Sequence, residues 1–169
     1  WMGVNFDCTL LYLADRRPVL SSLSIQPVYL RTAAADAGAV IDYRDLQVPL
    51  GRRFRALKLW FTIRGEGVPA MQAMIRSHLA MSADFAQWLA DQPTFEIVAP
   101  HPLNLVVFRH VNGDEATKRL LDAVNRSGRA LLTQTTLDGR YCIRVSIGAR
   151  TTERRHISAL EQALQELAG

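Results

Sequence analysis

Cysteine is nearly absent from this 169-residue sequence: only Cys8 and Cys142 occur, far apart, each within an apolar, strand-like run. That spacing speaks against a disulfide framework and for two small thiols in a reducing, cytoplasmic setting. Neither cysteine stands at ligand spacing from His78, His101, His110 or His156, so no metal site is expected. No apolar run reaches the roughly 18 residues of a membrane span, and no charged leader precedes an apolar stretch. Lysine is as scarce as cysteine, with Lys58 and Lys118 alone among twenty basic residues. Positive charge is carried by arginine, and the net charge is +4. The densest basic run, Arg52-Arg53-Phe54-Arg55-Ala56-Leu57-Lys58, leads straight into Leu59-Trp60-Phe61. A run that opens an amphipathic helix is not a disordered arm. Arginines so placed pair with carboxylates or a phosphate group, and a basic patch by itself is only the first criterion for nucleic-acid binding. Neither nucleic acid nor membrane is expected as a partner.

What is present is an ordinary globular composition, 49% apolar and 21% charged. The pattern changes along the chain. Residues 4–13, VNFDCTLLYL, are apolar on both faces, as a central strand of a covered sheet would be. Residues 14–42 hold no sustained period and read as a long loop, a length uncommon in a compact domain unless functional or disordered. A helical pattern runs from Arg52 to about Arg64, broken by Gly65-Glu66-Gly67. Pro69 suits the first turn of a second helix over about 68–91, with Val68, Met71, Ile75, Leu79, Ser82, Phe85 and Leu89 along one face. Phe95–Val98 and Leu105–Val111 read as strands. Asp114 is expected to cap a helix ending at Ser127-Gly128. Asp138-Gly139 joins strands 130–137 and 140–147 as a hairpin. Thr151 or Thr152 should cap the last helix. Arg144, on an apolar strand, is a candidate for a buried ion pair.

The region from 68 onward is thus self-consistent as a small α+β domain. Residues 1–67 are not: one central strand, a loop and a helix cannot cover a sheet. The chain is expected to be the downstream part of something larger.

Several stretches carry a family resemblance: "NFDC" after a tryptophan, "PVYLR", "DYRDLQVPLGRRFRALKLWF", "LNLVVFRH" and "DGRYCIRVSIG" followed by "TTERRH". Together they resemble the pyridoxal-phosphate-dependent group II decarboxylases, nearest to the aromatic-L-amino-acid decarboxylase branch. The likeness runs through the whole chain in order and is most specific from Asp42 to Phe61. It implies an α/β, aspartate-aminotransferase-type fold (PLP fold type I). Residues 1–67 would be the end of the cofactor-binding large domain, with a mobile catalytic loop at about 14–42. Residues 68–169 would be the C-terminal small domain. It also implies pyridoxal 5'-phosphate as cofactor and a homodimer with active sites at the subunit boundary. Finally, it implies the upstream half of the same protein as a partner.

The resemblance places the cofactor lysine immediately ahead of Trp1. That lysine would form an imine with the cofactor, whose ring stores the electrons released when carbon dioxide leaves. Trp1 would flank the cofactor. Tyr29 matches the tyrosine of the catalytic loop, which gives a proton to the substrate α-carbon; a phenol is a weak acid suited to delivery by a closing lid. An arbitrary loop tyrosine would merely pack on the surface. Gly51 matches the segment that approaches the neighbouring subunit's site, where a glycine leaves amide donors open to an anion; a plain turn glycine is the alternative. Asn5, Asp7 and Cys8 would shape the pocket, Arg44 would serve through ion pairing, and the four histidines match no catalytic position. The expected activity is conversion of an aromatic L-amino acid to its amine and carbon dioxide. The alternative is a catalytically silent fragment acting as a dimerisation or partner-binding module.

Overall fold

The computed structural model describes residues 1–24, 40, 42–49 and 51–169. The chain divides into two units, one of Trp1–Gly3 with Thr62–Gly169 and one of Val4–Phe61.

In the larger unit the order of elements follows the sequence pattern closely. Helix α1, Arg17–Leu23, belongs to the smaller unit; helix α2, Arg55–Glu66, runs across the boundary between the two. Gly65 stays helical, and the break comes at Gly67, whose φ of 78° ends α2 and opens α3 at Val68. Pro69 sits in the first turn of α3 (Val68–Ala90), where its missing N–H costs nothing. Strands β1 (Phe95–Ile97), β2 (Leu105–His110), β3 (Thr133–Leu137) and β4 (Arg140–Ser146) form one antiparallel sheet in the order β1-β2-β4-β3. Helix α4 (Asp114–Ser127) stands between β2 and β3, and α5 (Arg154–Leu167) closes the chain. Asp138 and Gly139 both take positive φ, 50° and 74°, the requirement of a type I′ hairpin turn.

Register explains the core. Phe108 lies opposite Ile143 and Val106 opposite Val145, so one face of the sheet is continuously apolar. Against it α3 brings Met81, Phe85 and Leu89, α4 brings Leu120, Leu121 and Val124, and α5 brings Ile157, Leu160 and Leu164. Phe85, Phe95 and Phe108 meet edge to face at centroid distances of 6.2 and 5.5 Å, the geometry aromatic quadrupoles favour. His78 and Met81 join the buried stripe of α3 in place of Leu79.

Three local expectations are corrected. The cap of α4 is Gly113, with φ 92°, and not Asp114; the Asp114 carboxylate instead accepts from the Tyr141 backbone N–H at 3.1 Å and pairs with Arg109 at 3.1 Å. The cap of α5 is Glu153, which exchanges hydrogen bonds with His156 in a capping box, so neither Thr151 nor Thr152 is needed. The buried ion pair belongs to Arg109, not Arg144: among the described residues no carboxylate pairs with Arg144.

In the smaller unit residues 4–13 do not form a strand. A strand exists only through its ladder, and the described residues offer it no neighbour. Phe6 is 99% exposed and Tyr12 87%. Helix α1 occupies part of the stretch read as loop, started by Pro18 in its first turn. A 3-10 helix at Tyr43–Leu46 begins on Asp42, whose side chain accepts from the Arg44 N–H at 3.2 Å. Asp45 is the one buried residue of this unit among those described.

Candidate functional site

The three residues proposed for chemistry fall in different places. Tyr29 lies outside the described residues. Gly51 belongs to the smaller unit and is open: a Cβ built on it would meet nothing within 4 Å. Trp1 belongs to the larger unit and is 38% exposed.

Around Gly51 the smaller unit is organised by arginine, as the basic run suggests. Arg44 Nε lies 2.9 Å from Asp42 and 3.7 Å from Asp45. Arg55 Nε reaches Asp7 at 2.7 Å, joining positions 48 residues apart. That hydrogen bond, helped by the positive charge of Lys58, holds the Asp7 carboxyl below the usual carboxylate range. Arg52 donates to the Gln47 side chain at 3.3 Å. Asp7 and Arg44, expected to shape the site, are thus both engaged in ion pairs. Phe54, Trp60 and Phe61 beside them are exposed.

In the larger unit Trp1–Gly3 rests on the turn that follows β4. Gly148 lies beside the indole and close to Asn104: a Cβ there would stand 3.5 Å from Trp1 Cδ1, an ordinary contact, and 3.2 Å from Asn104 Nδ2, a crowded one. Asn104 fixes this turn by donating its side-chain amide to the Ile147 carbonyl at 3.0 Å, while the Ile147 N–H donates to the Asn104 carbonyl at 2.9 Å. Met2 lines a cleft of about 200 Å³ with Ala70, Met71, Met74, Glu66 and Arg150. Gly3 has φ 66°, and the Arg150 side chain passes where a Cβ would be, with Cδ at 2.5 Å from that point. Glu66 holds the other end of Arg150 in an ion pair. Nothing in composition pointed to Arg150 or Glu66; the signal, visible only in three dimensions, is a positive-φ glycine under a long side chain.

The histidines have structural work. His110 is buried, accepts from the Asn112 N–H on Nδ1 at 3.0 Å, and so turns Nε2–H toward the Ala168 carbonyl at 3.2 Å. His156 completes the cap of α5. His78 is buried in α3 with Nδ1 unpartnered, and burial lowers its pKa. Among the described residues no group of His, Cys, Asp and Glu could hold a metal ion, and no helix is long and apolar enough to cross a membrane.

An amine that forms an imine must be able to lose its proton. Lys118 cannot do so readily: Glu115 binds it at 2.7 Å and raises its pKa, and the Tyr141 ring lies 5.6 Å away. Lys58 lies on α2. Lys118, held by Glu115, is thus a poor covalent partner for pyridoxal phosphate.

A family model, the pyridoxal-dependent decarboxylase conserved domain, matches residues 1–111. Tryptophan decarboxylase 2 of Oryza sativa subsp. japonica is 41% identical over 99% of the chain and 35% of its own length. Aromatic-L-amino-acid decarboxylase of Bos taurus is 38% identical over 99% of the chain and 34% of its own length. The crystal structure of Oryza sativa TDC with PLP and tryptamine superposes with a TM-score of 0.81 at 34% identity, over 88% of this chain and 33% of that one. The chain thus spans about a third of the length of the relatives it matches.

Proposed function

The chain belongs to the pyridoxal-dependent decarboxylases, and from that premise we propose that it is the C-terminal third of a cytoplasmic, homodimeric enzyme that converts an aromatic L-amino acid to its amine and carbon dioxide. The observation that supports this reading is the unbroken likeness of nearly the whole chain to enzymes named for tryptophan and aromatic L-amino acids. Pyridoxal 5'-phosphate, when bound, supplies the electron sink that lets the carboxylate depart.

The chain's own residues do the rest. Tyr29 holds a phenolic proton and delivers it to the substrate α-carbon after carbon dioxide has left, which directs the outcome to an amine. Trp1 flanks the cofactor next to its lysine, and Gly51, with nothing within 4 Å of the place of a Cβ, lets the backbone come close to the neighbouring subunit's site. The Asp7–Arg55 ion pair links the segment after Trp1 to the start of α2. The exposed Phe6, Phe54, Trp60 and Phe61 are surface that the upstream half and a second subunit would cover.

The test is made on the complete protein. Its subunit should be about three times heavier than the 18.9 kDa of this chain, in proportion to the relatives. Supplied with tryptophan, tyrosine or dihydroxyphenylalanine, it should release carbon dioxide and amine in equal amounts. Borohydride treatment in the presence of pyridoxal phosphate should label the lysine just ahead of Trp1. A label on Lys58 or Lys118, or no amine from any aromatic acid, would overturn the reading.

A further inference from the structure

We propose that Arg150 and Glu66 form a clamp that positions the segment Trp1–Gly3, and through it the residue that precedes Trp1. The proposal rests on the decarboxylase reading only in its last step, the identity of that preceding residue as the cofactor lysine.

Each residue of the segment has its own receptor in the larger unit. The Trp1 indole lies beside Gly148, at contact distance from where a Cβ would stand. Met2 lines the cleft together with Met71 and Met74, whose flexible thioethers suit an irregular surface. Gly3 passes beneath Arg150, whose stem occupies the place of a Cβ. Two features make this third contact a clamp and not a chance crossing. Gly3 has φ 66°, a conformation any other residue adopts only with strain, so backbone and side chain are fitted to each other. Arg150 is held at its far end by Glu66, at the last position of α2, so the guanidinium cannot swing away without losing that partner. The turn that carries Arg150 is in turn fixed by Asn104 through the paired bonds to Ile147.

Charge attraction is not what gives the clamp its value. Both side chains are more than a third exposed, and such pairs contribute little to stability. The clamp acts by restricting direction. A reactive group held within a fraction of an ångström works far faster than one left to wander, and the segment following it is where such restriction can be applied.

The experiment uses the complete protein and four changes: Arg150→Met, Arg150→Lys, Glu66→Gln, and the exchange Arg150→Glu with Glu66→Arg. Hydrogen exchange of the peptide containing Met2–Val4 is the first readout and does not depend on catalysis. Arg150→Met should raise its exchange about tenfold, Glu66→Gln less, while Arg150→Lys and the exchanged pair should restore protection. The second readout is the kinetic split: kcat should fall about tenfold in Arg150→Met with KM within about twofold, because orientation and not substrate contact is lost. Unchanged exchange in Arg150→Met overturns the clamp even if the enzyme makes amine normally. Raised exchange with kcat unchanged overturns its positioning role. Raised exchange in a protein that makes no amine from any aromatic acid leaves the clamp standing and removes the decarboxylase reading.

Discussion

Residues 4–61 are no poorer in apolar side chains than residues 62–169, yet among the described residues only the longer region buries them. In 62–169 the apolar residues recur at helical or strand spacing on elements that follow one another closely, so each finds a neighbour within the same stretch. In 4–61 Phe6, Leu11, Tyr12, Phe54, Trp60 and Phe61 face outward, and the polar groups make the local order: Asp42 with Arg44, Asp7 with Arg55. Apolar side chains make a core where neighbouring elements bring their faces together. Among the described residues of 4–61, short-range ion pairs and a cap hold the local shape instead. The two regions therefore call for different kinds of perturbation, one read in turnover and the other in stability.

The largest effect should come from the region whose described residues bury no apolar side chain. Tyr29→Phe in the complete protein removes one oxygen and keeps the ring. Amine formation should slow by about 10²–10⁴-fold, the usual worth of a positioned general acid. With dissolved oxygen as the oxidant, aldehyde should appear as a by-product together with ammonia and hydrogen peroxide, and the melting temperature should hold. Product analysis by chromatography decides it: amine at the unmodified rate and nothing else would return Tyr29 to the status of an ordinary loop residue.

Next comes the core itself. Phe108→Ala should cost about 3–5 kcal/mol, because the ring is fully buried between Phe85, Phe95 and Ile143. Phe6→Ala in this 169-residue chain should change stability by no more than about 0.5 kcal/mol, since the ring is in solvent. Denaturant titration of the pair measures the contrast. Two similar costs would show that the exposed region has a core after all.

Asp114→Ala should be intermediate, about 1–3 kcal/mol. It strips the Tyr141 N–H of its acceptor and leaves Arg109, which is largely buried, without its carboxylate. Asp114→Asn, which keeps an acceptor for the amide, should recover part of the loss in the same titration.

The smallest effect is a pH dependence. Burial depresses the His78 pKa below its ordinary value near 6.5, so the folded chain holds this imidazole neutral. Its contribution is fully present above about pH 6.5 and is lost as the pH falls through the lower, folded value, because the unfolded chain takes up the proton first. Melting curves between pH 7 and 5 should decline less steeply in His78→Leu than in the unaltered protein. Parallel slopes would mean that His78 is hydrated in the fold.

The same contrast explains what could be read from sequence. From Val68 onward periodicity and turn chemistry were sufficient, since α3, the four strands, the Asp138-Gly139 turn and the helices end within a few residues of where those signals put them. The errors there concern caps. Asp114 and Thr151 are good capping residues by type, but Asp114 is drawn off by Tyr141 and Arg109, partners remote in sequence, and Glu153 with His156 forms a box that composition does not favour. Arg109 and Arg144 stand on the same face of adjacent strands, and only the nearness of Asp114 decides which is paired. Residues 4–13 carry a strand pattern that their described surroundings do not complete, and helix α1 is too short to show a period. Of the candidate site, the arginine pairing was legible because a basic run demands carboxylates. Arg150 and Glu66 were not, because a close approach to glycine has no signature along the chain.

The seat of Trp1–Gly3 has a consequence in time. These three residues leave the ribosome ahead of the residues that receive them: Gly148 and Arg150 follow roughly 150 positions later. At about 5–20 residues per second that is a wait of about eight to thirty seconds. Until then the segment has nothing to settle on, and closing so long a loop carries an entropy cost that local contacts do not. The segment Trp1–Gly3 is therefore secured only after the turn that carries Gly148 and Arg150 has been made, so synthesis itself delays its settling.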